Sequence, residues 1–348
     1  MTTERTFIRD AWYAAAMSTE LGVKLLPRKI CNENIVMFRV ADGSVRAFAD
    51  YCPHRKLPFS LGSLVGGELV CGYHGLRFST DSGRCTHIPT QDMIPDGFLD
   101  ARIYPVFERY GLVHVWIGDP RLADPTLIPE FPEREDPDWV SVEDSCYVKA
   151  NYRLLLDNLN DLSHVFFVHN NTLAAGVDPP AFDAPMDVVI GPDTVRWERI
   201  VRASGQTPSM RKSGQFSHDG LIDRLQSGKF LLPSAMILEL GAGEQGGELK
   251  TNQIIFNAFT PETEKSTHYF WSVCRAASST SEMMQFAHQI TQAGFTEDKV
   301  AIEAQQKAID EDVNGTALQA VAGDKAALAV RRVIARHVRG QAKAEVAA

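Results

Sequence analysis

The sequence has 348 residues, of which 44% are hydrophobic and 23% are charged, a composition typical of a globular protein with room for two domains. Its net charge of −9, with no basic block, argues against a nucleic-acid partner. No run of about 18 apolar residues is present, and the first ten residues are polar, so we expect no membrane partner and a cytoplasmic location.

The first third of the chain predicts a β domain. Short apolar runs alternate with turns that contain glycine or proline, which is typical of consecutive strands. The pair Asp42-Gly43 is a strong hairpin signal. The predicted strands are residues 29–40, 44–48, 69–73, 76–79 and 112–117. A segment rich in proline and charge, residues 118–139, then predicts an exposed domain boundary.

The rest of the chain predicts strands and helices in separate blocks, which favours an α+β fold over βαβ repeats. The predicted elements are a helix at 152–168, strands at 188–202, 230–240, 251–259 and 268–275, and helices at 281–308 and 317–337. Residues 241–246 match G-x-G-x-x-G, but a strand pattern follows them, and Glu244 and Glu248 would repel a pyrophosphate. We therefore predict a flexible hairpin or loop there and no nicotinamide site.

Two cysteine–histidine pairs form the strongest local signal. Cys52-Pro53-His54 is followed, sixteen residues later, by Cys71-Gly72-Tyr73-His74. Thiolate and imidazole ligands suit iron–sulfur clusters and zinc. In a Rieske [2Fe–2S] cluster, two cysteines bind one iron and two histidines bind the other. The predicted ligands are therefore Cys52 with Cys71, and His54 with His74.

A structural zinc site is the alternative interpretation of these four residues. Zinc fingers group their two cysteines together and their two histidines together, whereas here each half contributes one of each. This arrangement favours the Rieske cluster. A third pair, Cys85 and His87, has no matching half and is interpreted as structural.

A second group of candidate ligands lies in the predicted helix at 152–168. At about 100° per residue, Asp157, Asp161 and His164 would share one helix face. His169 lies five residues beyond His164, so a local break in the helix is expected. Two histidines and a carboxylate form the facial triad of non-haem Fe(II) oxygenases, which leaves iron positions open for dioxygen.

The carboxylate of this triad is less well defined by the sequence. Asp298 is the best candidate if Asp161 has another task, and Glu297 is its nearest rival. Taken alone, Asp298 is also compatible with a solvated helix charge, and His164 and His169 are compatible with paired core histidines.

The chain resembles the Rieske non-haem iron aromatic-ring oxygenases, and among them the vanillate O-demethylase oxygenase group. The resemblance extends over nearly the whole chain. It rests on residues 11–13, 28–31, the CPHR and CGYHGL motifs, 108–112, 116–120, 157–159, 161–164, 168–169, 260–263 and 303–306.

The resemblance implies a Rieske [2Fe–2S] domain at residues 1–120, a linker at 121–140 and a catalytic domain at 141–348. The catalytic domain is expected to have a helix-grip fold, in which helices pack on a curved antiparallel sheet. The implied cofactors are one [2Fe–2S] cluster and one mononuclear Fe(II), with His164, His169 and Asp298 as the iron ligands.

The resemblance also implies a homotrimer with head-to-tail contacts between subunits. Asp161 would then be a catalytic residue that bridges His74 of one subunit to His164 of the next, and electrons would pass along this route. An NAD(P)H-dependent flavin/iron–sulfur reductase, or a ferredoxin, is the expected partner.

The implied reaction is O-demethylation of a methoxylated, vanillate-like aromatic acid with dioxygen and release of formaldehyde. The segment 174–224, which is expected to help line the pocket, departs from the vanillate pattern. Ring hydroxylation, N-dealkylation and a non-catalytic electron carrier therefore remain as alternatives. An aromatic acid calls for cations or hydrogen-bond donors in the pocket, and Asn257 is the predicted substrate contact. Arg199, Arg202 and Arg211 are further candidates.

Overall fold

The computed structural model describes residues 6–177 and 184–346, with side chains described as far as Gln341. These residues form two compact units. One comprises Arg9–Ile128 with Thr260–Thr263, and the other comprises Pro129–Phe259 and the chain from Glu264 onward, together with the described residues before Arg9. The units divide inside the segment predicted as a linker, and each one includes a short segment that the expected domain bounds assign to the other.

The N-terminal unit consists of three small sheets. Strand orders are β1-β11-β10, β2-β3-β4-β9 and β5-β6-β7-β8, and neighbouring strands run antiparallel. The strands are β1 Ala11–Met17, β2 Leu26–Ile30, β3 Glu33–Arg39, β4 Val45–Ala49, β5 Ser63–Val65, β6 Glu68–Val70, β7 Arg77–Ser79, β8 Cys85–His87, β9 Ile103–Tyr104, β10 Val106–Arg109 and β11 Leu112–Ile117.

The predicted strand at 29–40 is in fact a hairpin of β2 and β3. Cys31 and Asn32 form a two-residue turn in which both φ angles are positive, 49° and 67°. Such turns match the twist of a hairpin, and asparagine tolerates this backbone conformation. Their amides donate to the carbonyl oxygens of Pro261 at 2.7 Å and Glu262 at 3.0 Å, which ties residues 260–263 to this unit.

Aromatic side chains pack the core of the N-terminal unit. Phe59 lies between Phe48 and Phe78, with ring centroids 6.3 Å and 5.0 Å away. Burial of each phenyl ring contributes roughly 1.5–3 kcal/mol. Cys52 and Cys71 belong to the same buried cluster, so the core holds the loops that carry them. The predicted strand at 69–73 ends at Val70 because Cys71 begins one of these loops.

The C-terminal unit is a seven-stranded sheet in the order β12-β18-β17-β16-β15-β14-β13, with helices packed against it. This is the predicted α+β fold. The strands are β12 Trp139–Val148, β13 Met186–Ile190, β14 Thr194–Ser204, β15 Ile222–Leu231, β16 Ala235–Glu244, β17 Lys250–Thr263 and β18 Ser266–Ala276. The helices are α1 Tyr152–Asn160, α2 Val165–Val168, α3 Pro208–Ser213, α4 Ser281–Glu311 and α5 Lys325–Val346.

Proline and glycine divide two of the predicted strands in this unit. The run 188–202 is split into β13 and β14 by a turn at residues 191–193. The run 230–240 is split into β15 and β16 at Pro233, because proline cannot donate to the ladder of a central strand. The predicted helix at 317–337 starts later, at Lys325. Residues 241–246 lie in the hairpin of β16 and β17, which is one of the two predicted alternatives.

The segment predicted as an exposed linker is partly packed. Three short 3-10 turns each begin at a proline, which is favourable at the first helical position. Ile128 and Phe131 are buried, and the Phe131 ring stacks on Phe256 at 5.0 Å within the C-terminal unit. None of the helices in the described chain is both long enough and apolar enough to cross a membrane.

Candidate metal centres

The first candidate centre is built on two loops with the same backbone hydrogen bonds. The Cys52 amide donates to Leu57 O at 2.8 Å, and the Lys56 amide donates to Cys52 O at 2.9 Å. The second loop repeats this pattern from Cys71, whose amide donates to Leu76 O at 2.9 Å, while Gly75 N donates to Cys71 O at 3.1 Å. The fourth residue after each cysteine has a positive φ, 60° at Lys56 and 70° at Gly75.

The four predicted ligands of this centre are divided between the interior and the surface. Cys52 and Cys71 are buried, whereas His54 and His74 are exposed, with ring centroids 4.7 Å apart. Burial, together with the neighbouring Cys71 thiol, raises the pKa of Cys52 to about 11. A bound metal reverses this preference, because coordination deprotonates a thiol. This set of two sulfurs and two imidazoles fits a cluster with one iron on the cysteine side and one on the histidine side.

A helix break at Asp161 organises the second candidate centre. Helix α1 ends at Asn160, and Asp161 has extended backbone angles, φ −137° and ψ 99°. Its carboxylate accepts hydrogen bonds from Ser163 N and Ser163 Oγ, both at 2.9 Å, and so caps the next turn. The break therefore comes before His164, earlier than the sequence predicts. Asp157 does not share a face with His164 but pairs with Arg331.

The side chains of His164, His169 and Asp298 converge in the C-terminal unit. One ligand atom from each lies within 4.8 Å of the others. The Nε2 atoms of the two histidines lie 3.4 Å and 3.2 Å from the same carboxylate oxygen, Asp298 Oδ1. His169 and Asp298 are buried, and His164 is half-buried. Two neutral imidazoles and one carboxylate are the donor set of a non-haem Fe(II) site.

Hydrogen bonds orient each of these three side chains. The Nδ1 of His164 donates to the carbonyl oxygen of Asp161 at 2.7 Å, which leaves Nε2 free to bind a metal. Asn158 Nδ2 donates to Asp298 Oδ1 at 2.9 Å. Glu297, the rival ligand in the sequence, instead lies 2.7 Å from His169 Nδ1.

The pKa values of the two histidines are shifted in opposite directions. Burial lowers the pKa of His164. Burial also lowers that of His169, but Asp298 and Glu297 outweigh it and raise the pKa above its ordinary value. A metal that binds here must therefore displace a proton from His169, so its affinity is expected to increase with pH.

A cavity of about 130 Å³ opens on this site, and His164, His169 and Asp298 line it. Comparable cavities of about 150 Å³ hold one benzene molecule, so this one accommodates a single aromatic ring. Most of its wall is apolar: Leu159, Leu162, Val165, Leu173, Met210, Leu225, Leu238, Leu240, Ile255, Ile290 and Phe295. Its polar lining includes Arg224, Arg275, Gln226, Asn252 and Gln253.

The predicted substrate contact Asn257 is not in the lining of this cavity. It is fully buried in the core, where its Oδ1 accepts from the Tyr269 hydroxyl at 2.7 Å and its Nδ2 donates to backbone carbonyls. All of its polar groups are thus satisfied within the core. This prediction is therefore corrected: Asn257 shares a face of β17 with Gln253 and Ile255, which line the cavity, but it lies farther along the strand, inside the core.

The three arginines named from the sequence are also placed elsewhere. Arg199 donates to Gln226 Oε1 at 2.7 Å and lines a separate pocket with Asp161. Arg202 pairs with Asp223, and Arg211 donates to the carbonyl oxygen of Ala175. Residues 178–183, part of the segment expected to help line the pocket, lie outside the described residues.

Sequence reasoning missed Arg224 and Arg275, the two arginines that do line the cavity. Arg224 lies two residues before Gln226 and four before Gly228 on β15, in phase with the buried face of that strand. A charged residue in phase with buried positions was the available signal.

Two family models match the chain. The Rieske [2Fe-2S] domain matches residues 11–104, and the vanillate O-demethylase oxygenase C-terminal domain matches residues 148–340. The first match contains the Cys52 and Cys71 loops, and the second contains the convergent histidines and Asp298.

Curated relatives match over most of their length. The chain is 34% identical to a vanillate O-demethylase oxygenase subunit of Pseudomonas sp. (strain HR199 / DSM 7063), covering 86% of each chain. It is 35% identical to the oxygenase component of dicamba O-demethylase from Stenotrophomonas maltophilia, covering 94% of this chain and 97% of that protein. A crystal structure of dicamba monooxygenase bound to 3,6-dichlorosalicylic acid superposes with a TM-score of 0.90 at 34% identity, covering 97% of this chain and 99% of the other.

Proposed function

Because this chain belongs to the vanillate O-demethylase group of Rieske non-haem iron oxygenases, we propose that it removes the methyl group of a methoxylated aromatic acid. The observation that carries the proposal is the convergence of His164, His169 and Asp298 on the wall of an apolar cavity sized for one ring. The similarity to vanillate and dicamba O-demethylase components supports the same reaction type.

The chain's own ligands define where each cofactor would bind. Cys52, His54, Cys71 and His74 would hold the [2Fe–2S] cluster, and His164, His169 and Asp298 would hold Fe(II). When bound, the cluster supplies electrons one at a time and the iron activates dioxygen.

The cavity side chains position the substrate and exclude water. Leucines such as Leu159, Leu162 and Leu173 would pack against the ring, so the methoxy carbon could be held beside the three ligands without competing solvent. Ile290 and Phe295 on α4 contribute to the same wall. Phe295 lies about one helical turn before Asp298. The cavity therefore fixes orientation through shape rather than through flexible contacts.

The balanced reaction is conversion of an aryl methyl ether to a phenol. One ether, one dioxygen, two electrons and two protons give one phenol, one formaldehyde and one water. A carbon–hydrogen bond of the methyl group is replaced by a carbon–hydroxyl bond, which gives a hemiacetal. The bond between this carbon and the aryl ether oxygen then breaks, and the hydroxyl proton passes to the aryl oxygen, so that the phenol and formaldehyde are released.

We further propose a cytoplasmic homotrimer with head-to-tail contacts. The His54 and His74 imidazoles are exposed, so they are available to a neighbouring subunit or to a reductase. Asp161 is half-buried beside His164, and in such a trimer it would connect His74 of the adjacent subunit to the iron site. The electrons would come from a separate NAD(P)H-dependent reductase or ferredoxin, since the relatives are oxygenase components.

The test is a screen of methoxylated benzoates with the reconstituted protein and a surrogate reductase. NADH oxidation, formaldehyde and phenol are measured together. The proposal predicts equal amounts of formaldehyde and phenol for at least one benzoate. Ring diols without formaldehyde would instead establish hydroxylation, and formaldehyde released only from N-methyl compounds, together with an amine, would establish N-dealkylation.

A further inference from the structure

Two arginines that the proposed reaction does not use enter the substrate cavity from different strands. Arg224 lies on β15 and Arg275 on β18, three positions apart in the sheet order. Each is only 8% exposed, and both line the cavity that also contains the three candidate iron ligands. Two cations thus face the space that would hold the aromatic ring.

The charge of Arg224 is not compensated within the described part of the chain. Its guanidinium has no hydrogen bond or ion pair with any described residue. The neighbouring Asp223 carboxylate is directed elsewhere, because it binds Arg202 and accepts from the amides of Ala203 and Gly246. Burial, together with nearby Arg199, lowers the pKa of Arg224 to about 10, so the side chain remains a cation at neutral pH.

Arg275 has one edge occupied and one edge free. Its Nη1 donates to Gln253 Oε1 at 2.9 Å. Its Nε is buried and has no partner among the described residues. The Nε–Nη2 edge is the edge that a planar carboxylate engages with two parallel hydrogen bonds.

Outside the metal triad, the described residues that line the cavity include no acid that could neutralise these arginines. Among the described residues that line it, Asp298 is the one carboxylate, and it belongs to the metal triad. A buried guanidinium without a partner carries a desolvation penalty, which an incoming anion would relieve. The requirement for an anion is therefore built into the cavity wall.

We propose that Arg224 and Arg275 form an anion subsite that binds the carboxylate of an aromatic acid substrate and determines specificity for it. This inference rests on the proposed function and names the substrate class of that site. The same guanidinium groups could also donate hydrogen bonds to the oxygens of an aromatic sulfonate. Neutral methoxyarenes would leave both cations buried and unpaired, so they should be excluded by a large margin.

The experiment measures equilibrium binding of the holoenzyme by titration calorimetry without dioxygen or reductase. The probes are 2-, 3- and 4-methoxybenzoate, the corresponding methoxybenzamides and the corresponding methoxybenzenesulfonates. The variants are Arg224→Met and Arg275→Met, each paired with its lysine substitution. Arg196→Met, at an exposed position of the same sheet, is the matched control. Visible absorbance of the cluster and iron per chain establish that each variant is folded and loaded.

The wild-type protein is expected to bind at least one benzoate about 10- to 100-fold more tightly than its amide, the range for hydrogen bonds to a charged group. Each methionine variant should lose most of this preference for benzoate over benzamide. The lysine variants should retain part of the preference, and Arg196→Met should retain all of it. A higher affinity for the sulfonates than for the benzoates would identify sulfonate as the ligand of the subsite and would overturn the carboxylate assignment.

Equal affinity for acid and amide in the wild-type protein, including no measurable binding of either, would contradict the subsite. Equal weakening of both probes in the variants would also contradict it, because that result indicates a structural role. These outcomes do not depend on formaldehyde release, so they are distinct from failure of the O-demethylation proposal.

Discussion

The Nδ1 atom of His169 lies 2.7 Å from the carboxylate oxygen Oε2 of Glu297. A carboxylate accepts hydrogen bonds, so this contact holds the proton on Nδ1 and leaves Nε2 directed toward Asp298. The Thr172 hydroxyl donates to the same oxygen at 2.6 Å and holds the carboxylate in place. Two adjacent acids on α4 therefore have different tasks: Asp298 lies at the metal position, and Glu297 orients a histidine.

Replacing Glu297 should weaken metal binding without disturbing the cluster. We expect Glu297→Ala to lower the affinity for the mononuclear iron by about 10- to 100-fold, the usual effect of removing a partner of a ligating histidine. Glu297→Gln, which keeps an accepting oxygen, should lose less. Iron per chain after dialysis against a chelator measures the effect, and Glu282→Gln, an exposed position of the same helix, is the control. Full iron retention in Glu297→Ala would remove this role from Glu297.

Asp161→Asn tests whether the charge of Asp161 is needed for turnover. The amide oxygen can still accept from Ser163 N, so the cap and both metal sites should persist. If the carboxylate couples the two centres, formaldehyde production should fall by about 100-fold with unchanged iron and sulfide content. Turnover close to that of the wild-type protein would show that the negative charge is not required.

A second variant tests the same role from another position. A Cβ added at Gly323 would lie 2.7 Å from Asp161 Oδ2, so Gly323→Ala should displace the carboxylate without removing it. We expect slower turnover with both metals retained. Gly340→Ala, which meets no atom within 4 Å, should have normal activity.

Gly294→Ala should make the cavity smaller. A Cβ at Gly294 would approach Leu173 Cδ1 to 2.7 Å and push that side chain into the space it lines. The helix itself should gain up to about 1 kcal/mol in propensity, so loss of fold is not expected. We predict that the substitution weakens binding of dimethoxybenzoates more than binding of monomethoxybenzoates. The ratio of the two Kd values should therefore be larger in the variant than in the wild-type protein. An unchanged ratio would mean that Leu173 does not limit substrate size.

Glu33 should make the N-terminal unit sensitive to acid. Burial raises the pKa of its carboxyl, but hydrogen bonds from Tyr104 and Arg9, both at 2.6 Å, outweigh burial and lower the pKa below its ordinary value of 4.5. Ionised Glu33 therefore stabilises the fold above about pH 4.5, and this contribution is lost as pH falls through the lowered pKa.

The matching measurement is urea unfolding between pH 7 and about pH 3.5. Glu33→Gln should lower the free energy of unfolding at pH 7 by about 1–2 kcal/mol, and the difference from the wild-type protein should shrink at the acid end. Asp81→Asn, at an exposed ion pair with Arg46, should change stability by less than about 1 kcal/mol. A pH-independent difference for Glu33→Gln would show that charge is not the cause.

Local motifs could be predicted from the sequence, whereas features that depend on tertiary convergence could not. The Cys52 and Cys71 loops contain ligand types and spacings that act within a few residues, so their chemistry is visible in the sequence. The helix break at Asp161 was hidden because the apolar pattern continues to Val168, although aspartate is a favoured residue at a helix N-cap. Asp298 also had a signal, since Phe295, Asp298 and Ile302 lie on one buried face of α4.

The arginines of the cavity show the limit of local patterns. Arg224 and Arg275 lie 51 positions apart and meet the same cavity only because β15 and β18 belong to one sheet. Asn257 lies on the same strand face as Gln253 and Ile255, but those two line the cavity whereas Asn257 is buried against Tyr269. A strand pattern identifies which residues share a face, but it does not show how far along that face the cavity extends.

The most direct test of the account is the iron and labile-sulfide content of the holoenzyme and of Asp298→Ala. Two separate iron centres on one chain predict about three irons and two sulfides per wild-type chain. The variant should keep about two irons, two sulfides and the visible spectrum of the cluster, and should form no formaldehyde. Three irons in the variant, or loss of the cluster together with the third iron, would contradict the account.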